Sequence, residues 1–404
     1  MWPIRVRVDG RPLLVVVPNV GMSIDGDRVF MDIKALEWLA LYALLWPGPI
    51  RCISRASDPS AIGYGQWHFS KDLPFEPVMV ARKADAAAIM HHAYDAALIL
   101  AGADNHLDLG LVGASGNIPV VLTIEYTLRT RLDILRLSGA PISHKIKTAL
   151  WLIYTERKRV LALAHAAGLQ ANGTPAYHTY GPNNSASILY FDTRLRTSDF
   201  IGAEGASRKS ASLATGNPLR LAFSGRLEKM KGAEDLIKVM TALRRRSKIQ
   251  CYLDIYGKGS LQDRMLKQIA KAGLSNWVKL NDPVDFYEEL VPILKSRVDL
   301  FVCCHPQGDP SCTYLETLGC GVPIVGYANQ AFKGILSLGL CGVSVPVGDV
   351  EAMASAIERL DEDRSLLATL TGGAVEIAST RLFELMFADR VAHLRTLAPV
   401  RQGN

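Results

Sequence analysis

Short apolar runs of four to six residues alternate with amphipathic helical stretches along nearly the whole chain, and this alternation restricts the fold more than any other feature. In the first half LLVVV (13–17) precedes a helical pattern from about Asp32 to Trp46. PIRCIS, a helix over KADAAAIMHHAY, and the strands AALIL and PVVLTI (119–124) follow. A second helical stretch from Ser143 to Ala167 leads to ASILYF (186–191). Such strands must be covered on both faces, which implies a parallel sheet between two layers of helices. The second half repeats the pattern with LRLAFSG, CYLDIYG, WVKL, DLFVCC, PIVGY and GVSVPV, each run ending in a Gly, Pro or His turn that leads toward a helix. The expected class is α/β, with two Rossmann-like domains facing a cleft and ligand groups gathered at the carboxyl ends of the strands.

Between the halves, GAEGASRKSASLATGN (202–217) is small and polar with no apolar period, and it reads as a linker or mobile loop. The expected organisation is an N-terminal domain over 1–201, that connection, and a second domain over 218–380. A helix in 381–404 then crosses back to the first domain. A length of 404 residues with 49% hydrophobic and 21% charged residues suits domains with real cores. The apolar run 35–47 contains Glu37 and stops at Pro47, too short for a membrane span, and no start resembles a signal peptide. A cytoplasmic location is expected. The seven cysteines show no paired spacing, and no histidine pair has metal-ligand spacing, so neither a disulfide framework nor a metal site is expected.

The net charge is +6, and residues 129–159 carry eight Lys or Arg against Asp133 and Glu156, which accounts for the whole excess. Either this is a solvated helix face, or it is a patch for anionic headgroups or a phosphate-bearing acceptor, with Trp151 and Tyr154 as interfacial aromatics. The second reading would put the protein peripherally on the inner face of the plasma membrane. The remaining chain is charge-balanced and carries no nucleic-acid-binding motif, so nucleic acid is not an expected partner.

Three strand ends carry the candidate chemistry. In SGRLEKMKGAEDL (224–236), Gly225, Arg226 and Lys231 precede a helix, an arrangement suited to a diphosphate; ordinary surface lysines are the alternative. IYGKGS (255–260) offers Gly257 where a backbone could approach a nucleotide. In HPQGDPSCTYLETLGCGVPIV (305–325), Asp309 and Pro310 read as an N-cap and first helical residue, and Thr313 with Glu316 as a capping box.

In order and spacing, GR-LEKMKG, YGKG, the PSCTYLETLGCGVPIV block and GDVEAMASAIERL resemble the nucleotide-sugar-binding domain of family-4 retaining glycosyltransferases, which have the GT-B fold. The resemblance covers 219–360 and rests on the strand and helix pattern over 1–200. It implies transfer of a sugar, with retention, from a UDP- or GDP-type nucleotide diphosphate sugar to a saccharide or lipid-linked hydroxyl acceptor, without a metal or other cofactor. Bacterial surface polysaccharide or glycolipid synthesis is the implied setting. Arg226 and Lys231 match the cations on the donor diphosphate, with the helix start at 310–313 (Ser311, Cys312, Thr313) beside them. Glu316 matches the acid that takes the ribose hydroxyls. The first acid of the family's pair falls on Gly308, with Asp309 next to it. The base usually meets backbone groups, here near Leu280. Gly21 represents the family's first-strand glycine loop, and Glu125 stands where the family has a histidine. Asp309 and Glu125 are thus candidates for positioning or base roles. An epimerase of the same fold and a catalytically silent nucleotide-sugar-binding scaffold remain the alternatives.

Overall fold

The computed structural model describes residues 10–246 and 249–399. The first sheet contains β1 (Leu14–Val17), β2 (Ile50–Arg55), β3 (Glu76–Val80), β4 (Leu98–Gly102), β5 (Val120–Ile124), β6 (Gly168–Asn172) and β7 (Ser187–Tyr190). Its order is β7-β6-β5-β4-β1-β2-β3, parallel throughout. The second contains β8 (Leu219–Ser224), β9 (Cys251–Tyr256), β10 (Val278–Asn281), β11 (Leu300–Cys303), β12 (Ile324–Tyr327) and β13 (Gly342–Val345). Its order is β10-β9-β8-β11-β12-β13, again parallel. In both sheets the strand order reverses beside the first strand, between β1 and β4 and between β8 and β11. Crevices form outside the carboxyl ends at such reversals, because the flanking connections leave in opposite directions.

The helices that bear on the site are α1 (Ile33–Leu45), α2 (Leu128–Leu137), α3 (Ile142–His165), α4 (Gly173–Tyr180), α5 (Gly202–Leu213), α6 (Ala233–Arg246), α7 (Thr313–Leu318), α8 (Gln330–Leu336), α9 (Arg364–Ser379) and α10 (Phe383–Leu397). A small antiparallel sheet of Ser23–Asp25, Arg28–Asp32 and Gly65–Phe69, absent from the sequence reading, packs beside α1.

The stretch 202–217 is not a loop over most of its length. Its small residues let α5 lie close against α9, burying Gly205, Ala206 and Leu213. Lys209, also buried, donates to the carbonyls of Leu294 and Cys320. The connection between the sheets is instead Phe191–Ile201, where Thr193 and Leu195 are buried. Helix α10 packs on α1, β6 and β7, placing Phe383, Phe387, Val391 and Leu394 in the core of the first domain.

The basic segment divides into two parts. Arg131 and Arg159 are internal: Arg131 meets Asp104 at 2.6 Å, Arg159 meets Glu156 at 2.7 Å, and Arg159 also donates to the Ala103 carbonyl. Lys147, Arg157 and Lys158 are exposed. Helix α3 also exposes Ile142, Ile146, Leu150, Trp151, Ile153, Tyr154 and Leu161, away from the buried Leu152, Thr155, Arg159, Ala162 and Leu163.

Candidate active site at the two strand crevices

The crevice of the second domain collects the strand-end residues. Gly225 and Arg226 leave β8, and a 3-10 turn over Lys229–Lys231 leads to Gly232 at φ 62°. A Cβ on Gly232 would lie 1.8 Å from the Cys304 carbonyl oxygen, so the turn passes directly over the end of β11. Gly257 has a packing role: a Cβ there would lie 2.0 Å from the Gly225 carbonyl oxygen, so the loops after β8 and β9 touch backbone to backbone. Leu280 lies one strand further out, on β10 opposite Ile255.

Lys231 is buried and pairs with Asp309 at 2.6 Å, while Arg226 is exposed at the crevice mouth. Asp309 is therefore not a helix cap. Helix α7 begins at Thr313 behind Cys312, which makes no side-chain cap bond, and the Thr313–Glu316 capping box does not form. The tertiary partners win both carboxylates: a charge-assisted bond to an ammonium or guanidinium exceeds a local bond to a neutral amide. Ser311 instead lies against Thr313, 3.3 Å between hydroxyl oxygens, and its amide donates to the Asp309 carbonyl.

Glu316 is buried and accepts from Arg194 Nε at 2.9 Å. Arg194 belongs to the segment joining the domains, and its guanidinium lies 3.9 Å from the centre of the Phe286 ring. Its neighbour Arg196 pairs with Glu37 of α1 at 2.6 Å, and the Tyr287 hydroxyl donates toward both Glu37 and the Arg194 carbonyl. Sequence reasoning missed Arg194, because a contact across 122 positions leaves no local pattern.

The crevice of the first domain forms a cavity of about 240 Å³ between the loop after β1, the start of α1, the ends of β4 and β5, and α10. Asp192 and Lys34 meet at 2.5 Å across its rim, and both reach Cys312 of the second domain at 3.1–3.2 Å. Burial pulls the Lys34 ammonium down, but Asp192 and Cys312 outweigh it and hold the group above its ordinary range. Gly21 packs on Ser57, next to the cavity-lining Pro18, Asn19 and Val20.

Glu125 lies on the cavity wall. Asn172 donates to its Oε1 at 2.9 Å, and its backbone amide donates to Asp104. Desolvation, then the charges of Asp104, Asp192 and Asp309, push this carboxyl up to about 8. At neutral pH it is protonated, so it can donate through Oε2 while accepting through Oε1. Below the ordinary glutamate value of 4.5 the group is neutral whether the chain is folded or unfolded. Between that value and about 8 only the folded chain keeps the proton, so this group's contribution to stability is lost as pH rises through the window. Glu125→Gln should therefore gain in melting temperature relative to the parent between about pH 5 and about pH 9. A difference that does not change with pH would contradict the protonated carboxyl.

The two crevices face each other. A Cβ on Gly173 would meet Pro310, and one on Gly334 would meet Thr174, so α4 closes on the loop before α7 and on α8. Asp309 of one wall acts electrostatically on Glu125 and Tyr126 of the other. The structure thus brings Glu125, Asp309, Lys231 and Cys312 to a single cleft, with Glu316 held by Arg194 beside it.

Residues 207–374 match the family described as Glycosyl transferases group 1. An uncharacterised glycosyltransferase of Methanocaldococcus jannaschii is 29% identical over 180 residues, 44% of this chain and 44% of that protein. The lipopolysaccharide core biosynthesis glycosyltransferase LpsE of Rhizobium meliloti is 28% identical over 146 residues, 36% of this chain and 40% of that protein. The chain thus spans less than half the length of the curated relatives it matches. Among solved structures, HepE of Anabaena in complex with UDP and glucose superposes with a TM-score of 0.62 at 16% identity, over 95% of this chain and 99% of that one. A glycosyltransferase of Rickettsia africae gives 0.66 at 11% identity, over 98% and 100%. At these identities the superpositions speak for the fold alone. The chain has the GT-B fold, and over residues 207–374 it is similar to the Glycosyl transferases group 1 family.

Proposed function

We propose that the protein is a glycosyltransferase that moves a sugar from a nucleotide diphosphate sugar to a hydroxyl acceptor. The observation that carries this reading is the group 1 domain with Arg226 and Lys231 at one side of its strand-order reversal and Glu316 at the other. Fixed cations where a diphosphate departs stabilise the charge that develops as the bond to the sugar C1 breaks. A vicinal diol suits Glu316, since a carboxylate accepts from two hydroxyls at once; the ribose would take the place of Arg194 there. Gly257 and Leu280 flank the side on which the base would lie.

Transfer proceeds with retention and without a metal in this proposal. The acceptor oxygen bonds to C1 on the face the diphosphate leaves. Glu125 already carries a proton at neutral pH and Asp309 is held by Lys231. The acceptor proton therefore goes to the departing phosphate oxygen, and Glu125 positions a sugar hydroxyl. HepE was solved with UDP and glucose, and LpsE is named for lipopolysaccharide core synthesis. The first supports a UDP-type donor, with GDP the other candidate, and the second a cell-surface saccharide or lipid-linked acceptor in bacteria.

The assay is release of free nucleoside diphosphate from UDP-, GDP- and ADP-sugars with saccharide acceptors present. Release accompanied by a glycoside product supports transfer. Epimerised sugar without release would indicate the epimerase, and binding without either reaction the silent scaffold.

Among the described residues no helix is long and apolar enough to cross a membrane. The outer face of α3, seven exposed apolar side chains flanked by Lys147, Arg157 and Lys158, suits the surface of an anionic bilayer, where a lipid-linked acceptor would be met. Co-sedimentation with phosphatidylglycerol vesicles should fall several-fold in Ile146→Glu/Leu150→Glu. Equal sedimentation of both proteins would return α3 to a solvated face.

A further inference from the structure

The buried arginines of the first domain differ in one respect. Arg51, Arg131 and Arg159 each have a carboxylate partner, Asp95 at 2.6 Å, Asp104 at 2.6 Å and Glu156 at 2.7 Å. Arg390, which α10 inserts into the wall of the 240 Å³ cavity, has none among the described residues. Its Nε donates to Gln170 Oε1 at 2.8 Å, a neutral acceptor. Its guanidinium carbon lies 4.1, 4.9 and 5.5 Å from the rings of Tyr190, Phe387 and Tyr42. Tyr42 lines the same cavity, and its hydroxyl is fully buried without a hydrogen-bond partner. Asp192, whose charge acts on Arg390, is already paired with Lys34.

Arg390 thus keeps two donor nitrogens in this cavity without a partner among the described residues, and the buried idle hydroxyl of Tyr42 is costly unless a ligand completes it. A planar fork of guanidinium donors matches a carboxylate or a phosphate with two parallel bonds. From this geometry we infer that the cavity of the first domain binds the anionic group of an acidic saccharide acceptor, with Arg390 as the charge-recognising residue and Tyr42 as an added donor. That the ligand is an acceptor rests on the glycosyltransferase reading; the preference for an anion does not.

The test is calorimetric titration of the full chain, at fixed ionic strength, with methyl glucuronide, glucose 6-phosphate and neutral methyl glucoside. A charged hydrogen-bonded pair predicts that at least one anionic probe binds roughly ten- to a hundredfold more tightly than methyl glucoside. The two anionic arms separate carboxylate from phosphate. Arg390→Gln should abolish the preference, and Tyr42→Phe, which keeps the ring packing, should weaken anion binding by about tenfold. If Arg390→Gln does not fold, the parent's preference and Tyr42→Phe decide. Equal affinity for neutral and anionic probes, no binding of any probe, or a preference that survives in Arg390→Gln would overturn the inference. Saturating UDP should leave the anion binding in place, and its loss on UDP addition would overturn the assignment to an acceptor. Failure of UDP itself to bind, with the anion preference intact, would instead count against the glycosyltransferase reading.

Discussion

Arg226→Ala and Lys231→Ala should each lower the rate of nucleoside diphosphate release by about 100-fold or more, the loss expected when a fixed electrostatic stabiliser of a leaving group is removed. The two substitutions differ in what else they disturb. Arg226 is exposed at the end of β8, so its loss should leave the melting temperature almost unchanged. Lys231 is buried against Asp309, and its removal strands a carboxylate in a dry site, at a cost of about 3–5 kcal/mol. Adding Asp309→Asn to Lys231→Ala should recover much of that stability without recovering turnover. Near-normal release rates in both single variants would remove these residues from the diphosphate site.

Arg159→Ala should be among the most destabilising single changes in the first domain, by about 3–5 kcal/mol in urea unfolding. Arg159 is 1% exposed, and Glu156 is shared between Arg159 at 2.7 Å, Arg131 at 3.5 Å and the Tyr180 hydroxyl at 2.5 Å. Deleting the central cation removes the shortest charged contact of Glu156, leaving it the weaker Arg131 pair at 3.5 Å, and leaves the Ala103 carbonyl without its donor. Reversing the charges of Arg157 and Lys158, adjacent in sequence but exposed, should change stability by less than about 0.5 kcal/mol. Equal effects at these positions would contradict the division of the basic segment into an internal network and a surface face.

That division illustrates what a sequence can and cannot show. Eight cations within 31 positions are visible as composition, but which of them turn inward depends on Asp104, on a strand end, and on Glu156, one helical turn away. The parallel sheets were readable because strands buried on both faces are apolar along their whole length and need no partner to be recognised. Helix α5 escaped for the opposite reason. It packs through small residues and one buried lysine, so close approach to α9 replaces the apolar stripe that marks most helices.

The candidate site was readable where it lies near strand ends, as for Arg226, Lys231, Asp309 and Glu316. The local grammar around 309–316 nevertheless misled, since a carboxylate that looks like a cap goes to a cation whenever the fold supplies one nearby. Lys34, Asp192, Arg194 and Arg390 had no such signal. Their partners are distant in the chain, with Lys34 and Cys312 separated by 278 positions and Arg390 and Gln170 by 220. Only the segment between the domains and the returning helix α10 brings them to the cleft.

In the proposed reading, with Glu316 held by Arg194, a nucleotide that binds the carboxylate takes the arginine's place. The most direct test of the central claim is calorimetric titration of UDP, GDP and ADP into the full chain and into Lys231→Met and Glu316→Gln. Binding of at least one diphosphate, weakened about tenfold or more by each substitution, is the predicted result. Absence of binding by all three, or affinity unaffected by either substitution, would contradict a nucleotide diphosphate site between β8 and β11.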